Sequence, residues 1–219
     1  MIRLHAVPGS RSFRVHWLLA EMGLEPEIEN YRIADGSLDT DSYRDMNPAG
    51  RVPALEIDGR TLIESGAIIE YLCETRPEHG LAPLPGDVER AEFLVWVHYS
   101  ETVATCIQNL NLQQVFLPDA AMRSPTVIGI ETRRLARSLK PLERHLGGQD
   151  FLLASGFSAA DIMFGFGVEA AFHYVHAAKF PALSAYSERL AQRPAYQTAL
   201  AAQGPDTIYR KDFYEVPDG

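Results

Sequence analysis

Ser10 follows Pro8-Gly9 and precedes Val15, Leu18, Leu19 and Met22, a run with helical spacing. A hydroxyl in that place can donate to an anion, and the unpaired N–H groups and positive dipole end of the helix behind it also favour negative charge. Ser12 is the rival hydroxyl, nearer the helix start and better placed as a cap, so a shift of loop register exchanges their roles. Val52-Pro53 sits inside an apparent strand, where proline is otherwise out of place. Glu64-Ser65 opens a second apolar helical stripe of Ile68, Ile69, Leu72 and Cys73; taken alone, Ser65 caps that helix and Glu64 is solvated. Tyr99, Thr102, Cys106 and Asn109 recur at spacings of three and four and share one helix face, where packing between helices competes with contact to a ligand.

Metal and disulfide chemistry find little support. The chain has 2 cysteines, Cys73 and Cys106, with no CxxC, and His173 and His176 lack a carboxylate or cysteine in ligand spacing. No metal is expected.

The elements that position these residues fall into two kinds. Ile2 to Val7 reads as a buried strand closed by Pro8-Gly9, followed by a helix that ends at Gly23. Glu27 to Ile33 reads as a second strand, and a loop from Asp35 to Asn47 holds a short helix at Ser42 to Met46. Val52 to Ile57 and Arg60 to Ile63 flank Asp58-Gly59, a dipeptide that favours a tight hairpin turn. The order is βαβ, then ββα. Residues 79–87, within a stretch carrying Pro77, Gly80, Pro83, Pro85 and Gly86, read as a linker between a domain at 1–78 and another at 88–219.

Beyond the linker strand signals vanish. A long helix from about Val88 to Phe116 precedes one with Leu135, Leu139, Leu142 and Leu146 on one face, ended by Gly147-Gly148. Ser158 and Asp161 make a capping box with Asp in place of the usual Glu, and Pro181 and Pro194 open two shorter helices.

With 219 residues of which 46% are hydrophobic, the chain is long enough for two small cores, and disorder is not expected. Its formal charge of -9 argues against nucleic acid or an anionic membrane as partner, since phosphates are bound by clustered Lys and Arg. No apolar run approaches the roughly 20 residues that span a bilayer, and no signal-peptide core is seen. A cytoplasmic location is the reading.

Five motifs together resemble the cytosolic glutathione transferases: Pro8-Gly9-Ser10 with Arg14, Asn47-Pro48, Arg51-Val52-Pro53-Ala54-Leu55, Glu64-Ser65 with Ala67-Ile68, and Phe157-Ser158-Ala159-Ala160-Asp161. Each is weakly specific alone, but all stand in the family's order. The serine-initiated site resembles the theta, delta and bacterial serine-type branches.

That resemblance implies a thioredoxin-like α/β N-terminal domain, an all-α C-terminal domain and a homodimer. It also implies glutathione as co-substrate, without a metal. Ser10 then activates the thiol, whose pKa of about 8.5 leaves little thiolate at neutral pH. Val52, before a cis-Pro53, meets the cysteinyl part through its backbone. Glu64 and Ser65 meet the γ-glutamyl end, while Arg51 faces the glycine carboxylate or is a plain surface arginine. Arg14 is either a site-shaping ion pair or a salt bridge at the core's edge. Where delta-like members carry Arg after Glu-Ser, Gly66 stands here. An electrophile site is expected between Ser10's loop and the first helix of the second domain, drawing on Tyr99, Thr102, Cys106 and Asn109.

The implied reaction is transfer of glutathione to an electrophilic small molecule. A glutathione-dependent disulfide oxidoreductase or peroxidase, and a non-enzymatic binding protein, are the alternatives. Zeta-type isomerisation is less favoured, because Gly9-Ser10-Arg11 replaces that branch's Ser-Ser-Cys.

Overall fold

A computed structural model describes residues 1–33, 35–205 and 208–216. The chain divides into two compact units, Met1–Leu81 with Gln192–Ile208, and Ala82–Ala191 with Tyr209–Gly219.

The first unit is built on a four-stranded sheet of order β2-β1-β3-β4. Its strands are β1 (Arg3–Ala6), β2 (Glu27–Asn30), β3 (Ala54–Ile57) and β4 (Arg60–Ile63). β1 and β2 run parallel, joined through α1 (Ser12–Glu21), while β3 is antiparallel to both β1 and β4. Asp58 and Gly59, at φ 55 and 72, form the β3–β4 turn with the left-handed pair that matches strand twist. A short α2 (Asp41–Met46) precedes β3, and α3 (Ser65–Thr75) follows β4. α1 and α3 pack on each other and on β1 and β4, burying Val15, Leu18, Leu19, Ile68, Ile69 and Leu72 against Leu4 and Leu55.

The segment Gln192–Ile208 belongs to this unit because α8 (Pro194–Gln203) packs on α1. Tyr196 meets the rings of Phe13 and Trp17 edge-on, at 5.1 and 5.0 Å between centroids. Such pairs add about 0.5–1.5 kcal/mol beyond area burial.

The second unit is helical. α4 (Arg90–Asn111), α5 (Pro125–Leu146), α6 (Ala159–Phe172) and α7 (Pro181–Ala191) pack around Phe93, Trp96, Leu135, Leu139, Phe164 and Leu183. The capping box at Ser158 is formed in both directions. Asp161, fully buried, also accepts from Leu152 N–H and Tyr186 O–H, each at 2.9 Å. No helix among the described residues is long and apolar enough to cross a membrane.

Several expected bounds shift for physical reasons. β2 ends at Asn30 rather than Ile33, and β3 begins only at Ala54, since Pro53 has no N–H to give a ladder. The long helix keeps α geometry over Arg90–Asn111 and widens into a π turn at Leu112–Phe116. Neither expected serine cap is one. α3 starts at Ser65 itself after Glu64, and α1 starts at Ser12 after Arg11, with no side-chain cap at either helix. Both hydroxyls are engaged elsewhere.

Candidate functional site

Strand register gathers the candidate residues of the first unit. His5 pairs with Ala54 and Ala54 with Ile63, so the loop leaving β1, the chain entering β3 and the chain leaving β4 emerge at one end of the sheet. These carry Ser10, Val52-Pro53 and Glu64-Ser65, on segments that adjoin strands about 4.7–4.9 Å apart.

The Val52–Pro53 peptide is cis. The loop before it is held from within. Asn47, buried, donates through Nδ2 to Arg51 O at 2.7 Å and accepts from Ala49 N–H at 3.1 Å, while Tyr43 O–H also reaches Arg51 O at 2.7 Å. Gly50 is required there: its φ is 60, and a Cβ would stand 3.1 Å from Leu38 O. The Arg51 side chain is exposed. Asn47-Pro48 was legible as a motif; the Tyr43 contact had no signal in the sequence.

Glu64 is exposed and adopts φ 70, unusual for a residue other than glycine. That turn ends β4 and starts α3, whose first N–H groups have no acceptor within the helix. Ser65, buried, accepts at Oγ from Arg14 Nη1 at 3.2 Å. Arg14 is fully buried on α1, so its charge stands behind the head of α3. Arg14 thus links α1 to the first residue of α3 through a hydrogen bond to Ser65.

Ser10 is half-buried at the head of α1. Its Oγ accepts from Ser12 N–H at 3.2 Å and pairs with Ser12 Oγ at 2.8 Å. Its carbonyl accepts from Phe13 N–H at 3.0 Å, and Arg11 O accepts from Arg14 N–H at 3.2 Å. The N–H groups expected to face an anion at this helix are therefore already paired, which leaves the Ser10 hydroxyl and the helix dipole to favour negative charge. Gly9 N–H donates to Gln203 Oε1 on α8 at 3.4 Å, a support 194 residues away in sequence that no local pattern announces.

The arrangement presents a hydroxyl, a cis-proline turn and a cation-backed helix head at one end of the sheet. The family description "Glutathione S-transferase, N-terminal domain" matches residues 1–74, and "Glutathione S-transferase, C-terminal domain" matches residues 125–189. A zeta-class glutathione S-transferase of Euphorbia esula is 30% identical, over 90% of this chain and 88% of its own. The chain belongs to the glutathione S-transferase family. Glutathione S-transferase 3 of Schizosaccharomyces pombe is 28% identical, over 95% of this chain and 90% of its own. Among solved structures, a sphingomonad glutathione S-transferase complexed with glutathione is 30% identical with a TM-score of 0.80, covering 92% of this chain and 98% of its own.

The remaining candidates of this glutathione S-transferase lie on α4, in the helical unit. Tyr99 donates to Ser138 O at 3.0 Å and packs beside Trp96 and Phe164. Cys106 is buried, its Sγ donating to Thr102 O at 3.7 Å, and burial together with the Glu131 carboxylate pushes its thiol pKa up. Its burial makes it a packing residue of α4. Thr102 is exposed and Asn109 half-buried. None of the four lines the cavity of about 510 Å³ that α5 shares with Tyr174, Phe180 and Phe213. Among the described residues, no group of three or more His, Cys, Asp or Glu is placed to hold a metal.

Proposed function

We propose that this chain is a glutathione transferase that binds glutathione at the end of the sheet where β1 and β4 finish and β3 begins, stabilises its thiolate with Ser10 and transfers it to an electrophilic small molecule. The observation that carries this reading is the Ser10 hydroxyl. Its oxygen already accepts the Ser12 N–H at the head of α1, so its own proton is the part it has to offer an incoming anion, in a chain of this family. The Glu64 carboxylate matches the γ-glutamyl ammonium, and the Ser65 hydroxyl with the α3 N–H groups matches the neighbouring carboxylate. Val52 offers its backbone to the cysteinyl unit, ahead of Pro53, and Arg51 its charge to the glycine carboxylate.

In the reaction the thiol gives its proton to solvent and the sulfur forms a bond to an electrophilic carbon. The leaving group departs with its electron pair, or, in an addition, the substrate takes up a proton. On α4, exposed Thr102 and half-buried Asn109 are the residues of the set open to the electrophile. A homodimer, a cytoplasmic location and a role in detoxification complete the reading.

The test is Ser10→Ala. A hydrogen bond to a charged acceptor contributes about 1.5–3 kcal/mol, so the bound thiol pKa should rise by about one to two units. Activity near pH 7 should then fall roughly tenfold to a hundredfold and recover in part at higher pH. An unshifted ultraviolet thiolate titration in the glutathione complex of this variant would remove Ser10 from the mechanism.

A further inference from the structure

The Ser12 hydroxyl has one proton and three partners. It is 2% exposed, accepts from Val7 N–H at 3.3 Å, reaches Val7 O at 3.2 Å and reaches Ser10 Oγ at 2.8 Å. A hydroxyl offers one donor and two lone pairs, so these three contacts fill it completely. The single proton then has two places to go, Val7 O or Ser10 Oγ.

Val7 O does not depend on it. Ser10 N–H donates to the same carbonyl at 3.1 Å, so that acceptor keeps a partner when the Ser12 proton turns away. In one arrangement Ser10 donates to Ser12 and Ser12 to Val7 O. When the Ser10 proton turns to an anion, Ser12 turns its own proton to Ser10 Oγ, which then receives two donors, Ser12 N–H and Ser12 O–H, while giving one. Hydrogen bonds in such a chain polarise one another and strengthen the last link. Neither arrangement strands a buried group, and the change requires only two hydroxyl rotations.

We propose that Ser12 is a positioning residue that holds the Ser10 side chain and turns its proton to Ser10 when Ser10 donates to the glutathione thiolate. The proposal rests on the reading of Ser10 given above, and Ser12 acts on sulfur only through Ser10.

The experiment is the thiolate titration of bound glutathione in Ser12→Ala, Ser12→Thr, Ser10→Ala and the Ser10→Ala/Ser12→Ala double variant. Ser12→Ala should raise the thiol pKa by about half a unit, a roughly threefold smaller ratio of thiolate to thiol at a given pH. Ser12→Thr, which keeps the hydroxyl, should restore it, and Ser12→Ala should add nothing in the Ser10→Ala background. If Ser12→Ala fails to fold, Ser12→Cys replaces it, its weak S–H donor giving an upward shift of the same kind. An equal Ser12→Ala shift in both backgrounds would show direct action on sulfur and overturn the proposal. So would an unmoved titration accompanied only by lost stability. If Ser10→Ala itself leaves the titration unmoved, the reading of Ser10 fails and this proposal with it, an outcome distinct from the other two.

Discussion

The guanidinium of Arg14 and the hydroxyl of Ser65 meet at 3.2 Å, joining the first turn of α1 to the first residue of α3. Because Arg14 donates, Ser65 is the acceptor and keeps its own proton for another partner. The buried cation adds to the partial positive charge at the head of α3, so a carboxylate placed there meets an O–H, helix N–H groups and a fixed charge together.

Ser65→Ala is therefore expected to weaken glutathione binding by about tenfold to a hundredfold, the range for losing a hydrogen bond to a charged group. The turnover at saturation should stay near wild type, since this contact lies away from sulfur. Titration calorimetry with glutathione measures the first, and steady-state kinetics the second. Undiminished affinity would take Ser65 out of the site.

Glu64 allows backbone and side chain to be separated. At φ 70 any residue with a Cβ is strained, so Glu64→Gly should unfold no sooner than wild type, while Glu64→Ala retains the strain. Both lose the carboxylate, and both should raise KM for glutathione much more than they lower kcat. If Glu64→Gly binds glutathione like wild type, the carboxylate has no part in recognition.

Local pattern made much of the fold legible, because its signals act over a few residues. Asp58-Gly59 forces a turn through backbone conformation, Ser158 and Asp161 satisfy the same helix start, and Pro181 and Pro194 fit where a helix has no use for an N–H. The three site segments were legible for the same reason, as short motifs bound to strand ends. Long-range choices were not. Whether Ser65 caps or accepts from Arg14 is decided 51 residues away, and the home of α8 is decided by Phe13, Trp17 and Glu21. Helical spacing likewise puts Tyr99, Thr102, Cys106 and Asn109 on one stripe without saying which side chains turn inward, as Cys106 does.

The Glu21–Arg193 pair fixes α8 to α1. Arg193 Nε and Nη2 donate to the two Glu21 oxygens at 2.7 and 2.8 Å, and Trp17 Nε1 donates to Oε1 at 2.8 Å. The Glu21 side chain is only 9% exposed while that of Arg193 is 29% exposed, so removing one partner should cost less than in a fully buried pair, about 1–3 kcal/mol. Glu21→Ala and Arg193→Ala are each expected to lower the urea midpoint, and the double variant should cost clearly less than the two added together. Simple additivity would show that the two charges are not coupled.

His16 sets a pH dependence in the first unit. It is 7% exposed within α1, and burial pushes its pKa below the ordinary histidine value. The unfolded chain takes up a proton near pH 6.5, whereas the folded chain resists it to lower pH, so between those two values the unfolded state binds more protons. Stability from this group is thus fully present above about pH 6.5 and declines as pH falls, with a slope of at most about 1.4 kcal/mol per pH unit. Asp161 works in the opposite sense, since burial raises its carboxyl and the folded state holds that proton more readily. Comparing wild type with His16→Gln at each pH removes the Asp161 contribution, which both share. Urea unfolding from pH 7.5 down to about 5.5 should show wild type losing more stability than His16→Gln across that window. Parallel curves would mean that His16 carries its proton as easily folded as unfolded, and that its burial in α1 does not hold the charge away.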